Sequence, residues 1–267
     1  MPRNARFVLT GQPYHVTQRG NNRQPVFFSP EDRQTYLDLV RDNLADAGVR
    51  VYAYCLMTNH VHWVIVPERG DSLAVLFRRV HGRYAQYLNI RRRCSGHLWQ
   101  ARFFSCVLSS AHLDVALRYV ERNPVRALMT EAAESYLWSS AAVHSASEPI
   151  DDGLLDLSIW HNVGGTMAWR GMLAHHDPMP LVHMLRRCTF GERPFGDEQF
   201  LQSVEAQTGR SWKRYNFDAE LRAGGLALSL ESLRVGLATS SSHAGEQLNA
   251  MAPEGSHHAH DSPKPRL

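Results

Sequence analysis

Hydrophobic and polar positions follow regular spacings through the first half of the chain. Apolar residues at every second position, rich in Val, Ile and Tyr, predict strands. Apolar residues three and four apart, preceded by Ser or Asp, predict helices that begin at those caps. The predicted elements are strand 14–19, a helix from Ser29 to Gly48, strands 49–57 and 60–67, helix 73–92, strand 97–108 and a helix from Ser109 to Pro124.

This order of elements predicts an α+β fold of the ferredoxin-like, split βαβ type with one extra helix. The short turn Thr58-Asn59 indicates that strands 49–57 and 60–67 pair as an antiparallel hairpin. We therefore expect an antiparallel sheet covered by two helices on one face. A functional site would then lie on the other face or at an edge of the sheet.

The periodic pattern weakens after about residue 147, and SASEPIDDG is typical of a linker. Short helical patterns follow, and the last residues are rich in Ser, His, Ala, Gly and Pro. We predict a main domain at 1–147, a small C-terminal helical appendage at 148–235 and a disordered tail at 236–267.

Two histidines and a tyrosine–asparagine pair carry the candidate chemistry. His60 and His62 lie in a predicted strand, where alternate side chains share one face. Tyr119 and Asn123 are four residues apart and share one face of a predicted helix. Two neutral imidazoles and an amide oxygen could hold a divalent metal, and a tyrosine one turn away is a candidate nucleophile. A phosphodiester is the natural substrate of such a site.

Each of these residues also has a structural interpretation. Histidines are usually structural, Tyr119 could be a core aromatic, and Asn123 before Pro124 could simply end a helix. Helical geometry places Tyr119 roughly 110° from the centre of the apolar stripe, which predicts a position flanking the core. Trp63-Val64 stand where a zinc hydrolase would have Asp-His, which argues against that class.

Charge divides the chain into a basic and an acidic half. Residues 1–130 hold 18 Arg against 9 acidic residues, a net +9, and residues 131–267 have a net −6. A basic half suggests contact with a polyanion, although a general bias towards Arg or a solvated face would give the same composition. The candidate DNA-binding residues are Arg19, Arg23, Arg78, Arg79, Arg83, Arg122 and Arg126.

The cysteines and the hydropathy of the chain indicate the cellular compartment in which the protein is expected. The four cysteines, Cys55, Cys94, Cys106 and Cys188, form no CxxC pair, which argues against a zinc ribbon and fits a reducing cytoplasm. No stretch approaches the 18 apolar residues of a membrane span, and the N-terminus has no apolar signal region. We expect a cytoplasmic protein.

Four motifs in this order resemble the single-tyrosine HUH transposases, and within them the REP-associated tyrosine transposases. They are HVTQRGNNRQPVFF, YCLMTNHVHWVIVP, GHLWQARFFSC and LRYVERNPVRA, and the resemblance covers roughly residues 7–145. The segment RRCTFGERPFGDEQFLQSVEAQTGR also resembles the C-terminal region of that branch. Two positions depart from the family pattern: Thr58 replaces a frequent Pro, and Leu128 replaces the Gly that usually follows NPVRA.

The resemblance implies a ferredoxin-like fold and cleavage and rejoining of single-stranded DNA at hairpins. It implies that His60, His62 and Asn123 bind Mg²⁺ or Mn²⁺. It also implies that Tyr119 forms a 5′-phosphotyrosine and releases a 3′-hydroxyl. The protein would act as a monomer or a homodimer. Other possibilities stay open: an HUH replication initiator or relaxase, a hairpin-binding protein without catalysis, or a protein that binds RNA hairpins.

Overall fold

A computed structural model describes residues 7–149 and 153–212 of the 267-residue chain. The strands are β1 (Tyr14–Arg19), β2 (Val49–Met57), β3 (His60–Pro67) and β4 (Phe104–Val107). The helices are α1 (Pro30–Arg41), α2 (Leu44–Ala47), α3 (Ser72–Arg92), α4 (Leu113–Glu121), α5 (Asn123–Arg126), α6 (Ala141–His144), α7 (Ser158–Val163), α8 (Gly165–Ala174), α9 (Met179–Phe190) and α10 (Glu198–Thr208). Short 3₁₀ turns lie at Asn21–Arg23, Ser110–His112 and Ala133–Ser135.

The sheet has the strand order β2-β3-β1-β4, and every neighbouring pair is antiparallel. This order results when two β-α-β units interleave, so the predicted ferredoxin-like fold is confirmed. β1 lies between β3 and β4, and its register places Thr17 opposite His62 and Arg19 opposite His60. The central pair β1 and β3 therefore holds the two predicted histidines in the middle of the sheet.

Side chains alternate across this sheet and give it two different faces. We call the face with Tyr14, Val16, Val61, Trp63 and Ile65 the core face, because these residues join α1 and α3 in one apolar cluster. We call the opposite face, with His15, Thr17, His60 and His62, the site face. α4 packs against β2 and β3, and α9 packs against β4 and β1.

The predicted strands 14–19, 49–57 and 60–67 agree with the structure, whereas three other boundaries were wrong. The helix predicted to run to Gly48 ends at Arg41, and the separate turn α2 is followed by left-handed Gly48. The fourth strand covers only Phe104–Val107, because Trp99 makes just an isolated bridge to Gly20.

The third difference concerns the last predicted helix. α4 ends at Glu121, and Asn123 opens the short α5 with Pro124 in its first turn. Proline fixes its own φ and has no N–H, so it suits the start of a helix better than its interior. Asn123 therefore begins a new helical turn, and does not end the old one.

Residues after the predicted boundary at 147 pack closely on the sheet. The described residues lie in one compact unit, and Leu108 pairs with Phe195 in a parallel bridge. The division of the chain at residue 147 stays a prediction. The predicted tail, 236–267, lies outside the described residues, as does 213–235. None of the helices in the described part combines the length and apolarity needed to cross a membrane.

Candidate active site

Three histidines meet on the site face, one more than the sequence predicted. His15 Nε2 lies 2.9 Å from His62 Nδ1, and the two rings are nearly coplanar, with 7° between their planes. The ring centroids of His60 and His62 are 4.9 Å apart. Adjacent central strands create this group, because β1 and β3 pair with Thr17 opposite His62, and His15 and His62 both point to the site face.

In both His60 and His62, the hydrogen bonds occupy Nδ1 and leave Nε2 free. His60 Nδ1 lies 2.7 Å from Asn59 Oδ1, and His62 Nδ1 is occupied by His15. Within the described residues, neither Nε2 atom has a hydrogen-bond partner. Burial lowers the pKa of His60 to about 4 and that of His62 well below its usual value, with nearby positive charges adding to the effect. Both rings are thus neutral at pH 7 and can offer a lone pair.

Tyr119 lies against the histidines and is buried. Its ring centroid is 5.5 Å from that of His62 and 5.4 Å from that of His15, each in an edge-on arrangement. Its exposed fraction is only 6%, so the prediction that it flanks the core was wrong. The helical-wheel argument considered one packing surface, whereas α8 and α9 cover α4 from a second side.

Asn123 lies beside Tyr119 despite the break between α4 and α5. Its side chain lies close to the phenol and opposes the burial that raises the pKa of Tyr119. Its Nδ2 atom is buried and has no hydrogen-bond partner among the described residues. Because no such bond holds the amide nitrogen, the amide can turn and present its oxygen to a ligand.

Arginines supply the charge around Tyr119. Arg126 lies with its guanidinium carbon 4.3 Å from the Tyr119 ring centroid and donates a hydrogen bond to the Tyr119 carbonyl. Burial raises the pKa of Tyr119, while the charges of Arg126, Arg186 and Arg19 act in the opposite direction. We call these three arginines the cationic rim. Arg19 and Arg186 also help to lower the pKa of His60.

The predicted DNA-binding arginines fall into three groups. Arg19 joins the rim, and exposed Arg23 lies in the turn after β1 and helps to lower the pKa of Arg19. Arg122 and Arg126 both approach Asp177 Oδ2, at 3.5 and 2.8 Å. The third group lies on α3, across the sheet from the histidines: Arg78, Arg79 and Arg83. That these residues contact DNA stays a prediction.

A buried carboxylate fixes the helix that carries Tyr119. Glu121 is fully buried, and its Oε1 accepts hydrogen bonds from Ser140 Oγ at 2.5 Å and His144 Nδ1 at 2.6 Å. Its Oε2 accepts from Trp169 Nε1 at 2.7 Å. These contacts tie α4 to α6 and α8. Since a buried carboxylate is costly without such partners, this network holds α4 in one position.

Sequence reasoning missed His15, Arg186, Thr189 and Glu121. His15 stands in the motif HVTQRG, one position from the alternating Val16, and its place on the site face follows once strand 14–19 is paired with strand 60–67. Thr189 and Arg186 lie on α9, and no local pattern connects that helix to β1. Thr189 Oγ1 is 2.7 Å from His15 Nδ1 although 174 positions separate them.

The donor set fits a divalent metal only if Asn123 takes part. Among residues 7–149 and 153–212, no group of three or more His, Cys, Asp or Glu side chains is arranged to hold a metal ion. The two free Nε2 atoms and the unheld amide of Asn123 form a nitrogen- and oxygen-containing set. Imidazole ligands favour transition metals, and amide oxygens also suit Mn²⁺ and Mg²⁺, so the mixed set fits Mn²⁺ better than Mg²⁺.

One family of known proteins matches the part of the chain that forms most of this site. Residues 9–123 match the model of the IS200-like transposase family. The matched segment begins before β1 and ends at Asn123, so it contains His15, His60, His62 and Tyr119. The resemblance to transposases that the motifs predicted is confirmed at the level of this family. The IS200-like segment excludes α9, which contributes Arg186 and Thr189 to the site.

Two solved structures resemble this fold. One is a REP-associated tyrosine transposase bound to a REP hairpin, with 15% identity, a TM-score of 0.47, and coverage of 58% of this chain and 98% of that chain. The other is a protein described as a transposase from Deinococcus radiodurans R1, with 18% identity, a TM-score of 0.33, and coverage of 48% and 95%. No curated protein matches this chain significantly.

Proposed function

We propose that this protein is a metal-dependent endonuclease and transposase that cleaves and rejoins single-stranded DNA at hairpins, with Tyr119 as the nucleophile. The match to the IS200-like transposases supports DNA transposition in general. The observation that carries the finer proposal is the contact between the Tyr119 ring and His62, at 5.5 Å, with Asn123 beside the phenol. A nucleophile, two free imidazole nitrogens and an amide thus lie together.

In the proposed reaction, the phenol oxygen of Tyr119 forms a bond to phosphorus and the bond from phosphorus to the 3′ oxygen breaks. Tyrosine loses one proton and the departing 3′ oxygen gains one, so the proton count balances. Attack by the 3′-hydroxyl reverses the step and rejoins the strand without another energy source. An ordinary tyrosine has a pKa near 10, and burial raises the pKa of Tyr119 further. Phenolate formation therefore depends on the positive charge nearby.

His60, His62 and Asn123 would hold Mn²⁺ or Mg²⁺. When bound, such an ion would supply positive charge to a phosphate oxygen and increase the electrophilicity of phosphorus. Arg126 orients the nucleophile by its contacts with the ring and the carbonyl of Tyr119. Arg19 and Arg186 supply charge that favours both the phenolate and a phosphate.

The proposed substrate is a DNA hairpin with a single-stranded flank. The cationic rim supports binding of a phosphate backbone next to Tyr119, and the motif resemblance supports the choice of hairpins. Exposed Phe190 extends this surface: its ring contacts Phe104 edge-on and lies 6.0 Å from the guanidinium carbon of Arg19. Exposed aromatic rings beside arginines are typical of surfaces that bind single strands. We propose that the active species is a monomer or a homodimer.

The test is an assay for a covalent protein–DNA adduct. Labelled hairpin oligonucleotides from the host's repeats are incubated with wild type, Tyr119→Phe and Tyr52→Phe, with Mn²⁺ or EDTA. Tyr52 is a suitable control because its hydroxyl has only a long contact, 3.4 Å, with Arg50. We expect an SDS-resistant adduct with wild type and Tyr52→Phe in Mn²⁺, and none with Tyr119→Phe or EDTA.

Other outcomes would assign other functions. A shifted but uncleaved oligonucleotide, identical for wild type and Tyr119→Phe, would indicate a hairpin-binding protein without catalysis. Preferred nicking of a plasmid origin would favour a replication initiator or relaxase. An adduct that persists in Tyr119→Phe would refute the assignment of the nucleophile.

A further inference from the structure

A chain of buried hydrogen bonds connects α9 to the proposed metal site. Thr189 Oγ1 lies 2.7 Å from the carbonyl oxygen of Leu185 and 2.7 Å from His15 Nδ1. His15 Nε2 then lies 2.9 Å from His62 Nδ1. Thr189, His15 and His62 are all buried, with exposed fractions of 0%, 1% and 4%. In such a chain, the direction of one hydrogen bond determines the direction of the next.

The Leu185 carbonyl determines the first direction. A carbonyl oxygen can only accept, so at 2.7 Å the hydroxyl proton of Thr189 must point to it. The lone pairs of Thr189 Oγ1 then face His15 Nδ1 and Cys106 Sγ, which is 3.2 Å away. A second lone pair at His15 Nδ1 would repel the hydroxyl oxygen. His15 Nδ1 therefore carries a hydrogen and donates it to Thr189.

The second direction follows because His15 is neutral. His15 is 1% exposed, and its two hydrogen-bond partners, Thr189 and His62, are not acidic, so a buried imidazolium would be costly at this place. A neutral ring with hydrogen on Nδ1 has a lone pair on Nε2. His62 Nδ1 must donate to that lone pair, which leaves the Nε2 atom of His62 without a hydrogen.

His60 reaches the same state by a separate route. The Asn59 amide nitrogen donates to the Arg23 carbonyl at 2.8 Å, so the Asn59 oxygen is the atom that faces His60. That oxygen lies 2.7 Å from His60 Nδ1, which must donate to it. Both candidate metal-binding histidines thus have an Nε2 atom without a hydrogen, but only the tautomer of His62 depends on α9.

We propose that Thr189 and His15 are positioning residues that hold His62 in the tautomer with hydrogen on Nδ1, so that its Nε2 can bind a metal ion. This inference rests on the proposed function for the role of the metal, but the tautomer itself does not. It gives the helical region after residue 147 a part in the site, and Thr189 lies beyond the segment matched by the IS200-like family.

Thr189→Val removes the acceptor while nearly preserving the shape of the side chain. His15 would then shift its hydrogen to Nε2 and donate to His62 Nδ1. The hydrogen of His62 would move to its own Nε2 and block the metal-binding lone pair. Changes in such supporting contacts typically weaken metal affinity about 10- to 100-fold, and we expect this range for Mn²⁺.

The experiment reads the tautomers directly in metal-free protein. Long-range ¹⁵N–¹H NMR of the imidazole rings is recorded for wild type, Thr189→Val, Thr189→Ser and Thr208→Val, and Mn²⁺ affinity is measured by titration calorimetry. Thr208 is a matched control, because its hydroxyl donates to the Val204 carbonyl at 2.7 Å on α10 in the same way. We expect Nδ1–H for His62 in wild type, Thr189→Ser and Thr208→Val, and Nε2–H with weaker Mn²⁺ binding in Thr189→Val.

Two results would overturn the inference: Nε2–H for His62 in wild type, or an unchanged tautomer and unchanged Mn²⁺ affinity in Thr189→Val. The Thr189→Ser protein controls for a folding defect, because a hydroxyl in the same place should restore both the wild-type tautomer of His62 and the wild-type Mn²⁺ affinity. The wild-type adduct assay is scored separately. Adduct formation with the wrong tautomer would reject this inference alone, and the expected tautomer without any adduct would reject the proposed function alone.

Discussion

The core face and the site face of the sheet bury different kinds of side chains on the same strands. On the core face, Trp63 packs against Tyr36 of α1, which contacts Tyr84 of α3, in a cluster of aromatic and aliphatic residues. On the site face, the same strands bury His15, Thr17 and His62, which must find hydrogen-bond partners. Apolar burial is non-directional, whereas polar burial requires particular partners at particular angles.

This difference separates stability from function within one strand. Along β3, His60 and His62 face the site, and Val61 and Trp63 face the core. A substitution on one face should change chemistry, and one on the other face should change the free energy of unfolding. Neighbouring positions therefore provide a direct comparison of the two faces.

The largest effect is expected for His60→Ala. Loss of this proposed metal ligand should reduce cleavage by at least about a thousandfold, because a bound ion would no longer supply charge to phosphorus. Hairpin binding should change little, because the cationic rim remains. Cleavage rates and gel-shift affinities with Mn²⁺ measure the two properties separately.

Val61→Ala is the matched control for His60→Ala. It removes two buried carbon atoms from the core face and should destabilise the protein by about 2 kcal/mol in a urea titration. The folded fraction should still form the adduct at the wild-type rate. Metal-dependent cleavage that survives in His60→Ala would refute its role as a ligand.

An intermediate effect is expected for the arginines. Arg186→Ala removes a charge that acts on both His60 and Tyr119, and should slow adduct formation about tenfold, or about 1.4 kcal/mol. The triple Ala variant of Arg78, Arg79 and Arg83 changes charges across the sheet from Tyr119. It should leave the rate at saturating DNA unchanged and reduce the salt dependence of binding, because fewer counterions are released.

Rate measurements at saturating hairpin and affinities at several salt concentrations distinguish these two groups. If the triple variant slows the chemical step as much as Arg186→Ala does, the division of roles between the two faces is wrong. Salt-independent binding of the wild type would contradict a basic DNA-binding surface altogether.

The sequence predicted what local spacing determines. The pair His60 and His62, and the pair Tyr119 and Asn123, are set by the periods of a strand and a helical turn, and the structure brings His60, His62 and Tyr119 together. The sheet followed from the order of elements. Two-residue and four-residue periods act within one element, so a single sequence is enough to detect them.

Contacts between distant segments could not be predicted in this way. His15 reaches Thr189 only through the packing of α9 on β1 and β4, and Arg122 and Arg126 turn towards Asp177, 51 or more residues later. Composition alone showed that arginines are abundant, but not which of them an acidic partner neutralises. The buried position of Tyr119 likewise depends on a second layer of helices that its own helical pattern does not contain.

The smallest effect concerns Leu128, which lies after α5 and belongs to neither face. Its φ is +56°, in the left-handed region, and its side chain is 93% exposed. This conformation costs a residue with a Cβ roughly 1 kcal/mol relative to glycine, and little packing compensates for an exposed leucine. The resemblance had marked this position, since the related motif usually continues with Gly.

Leu128→Gly should therefore raise the free energy of unfolding by about 0.5–1 kcal/mol in a urea titration. It should leave adduct formation unchanged, because backbone strain here is separate from the site. A destabilised Leu128→Gly protein would mean that the added freedom of the unfolded chain outweighs the strain relieved, and a changed cleavage rate would mean that the turn after α5 helps to position Asn123.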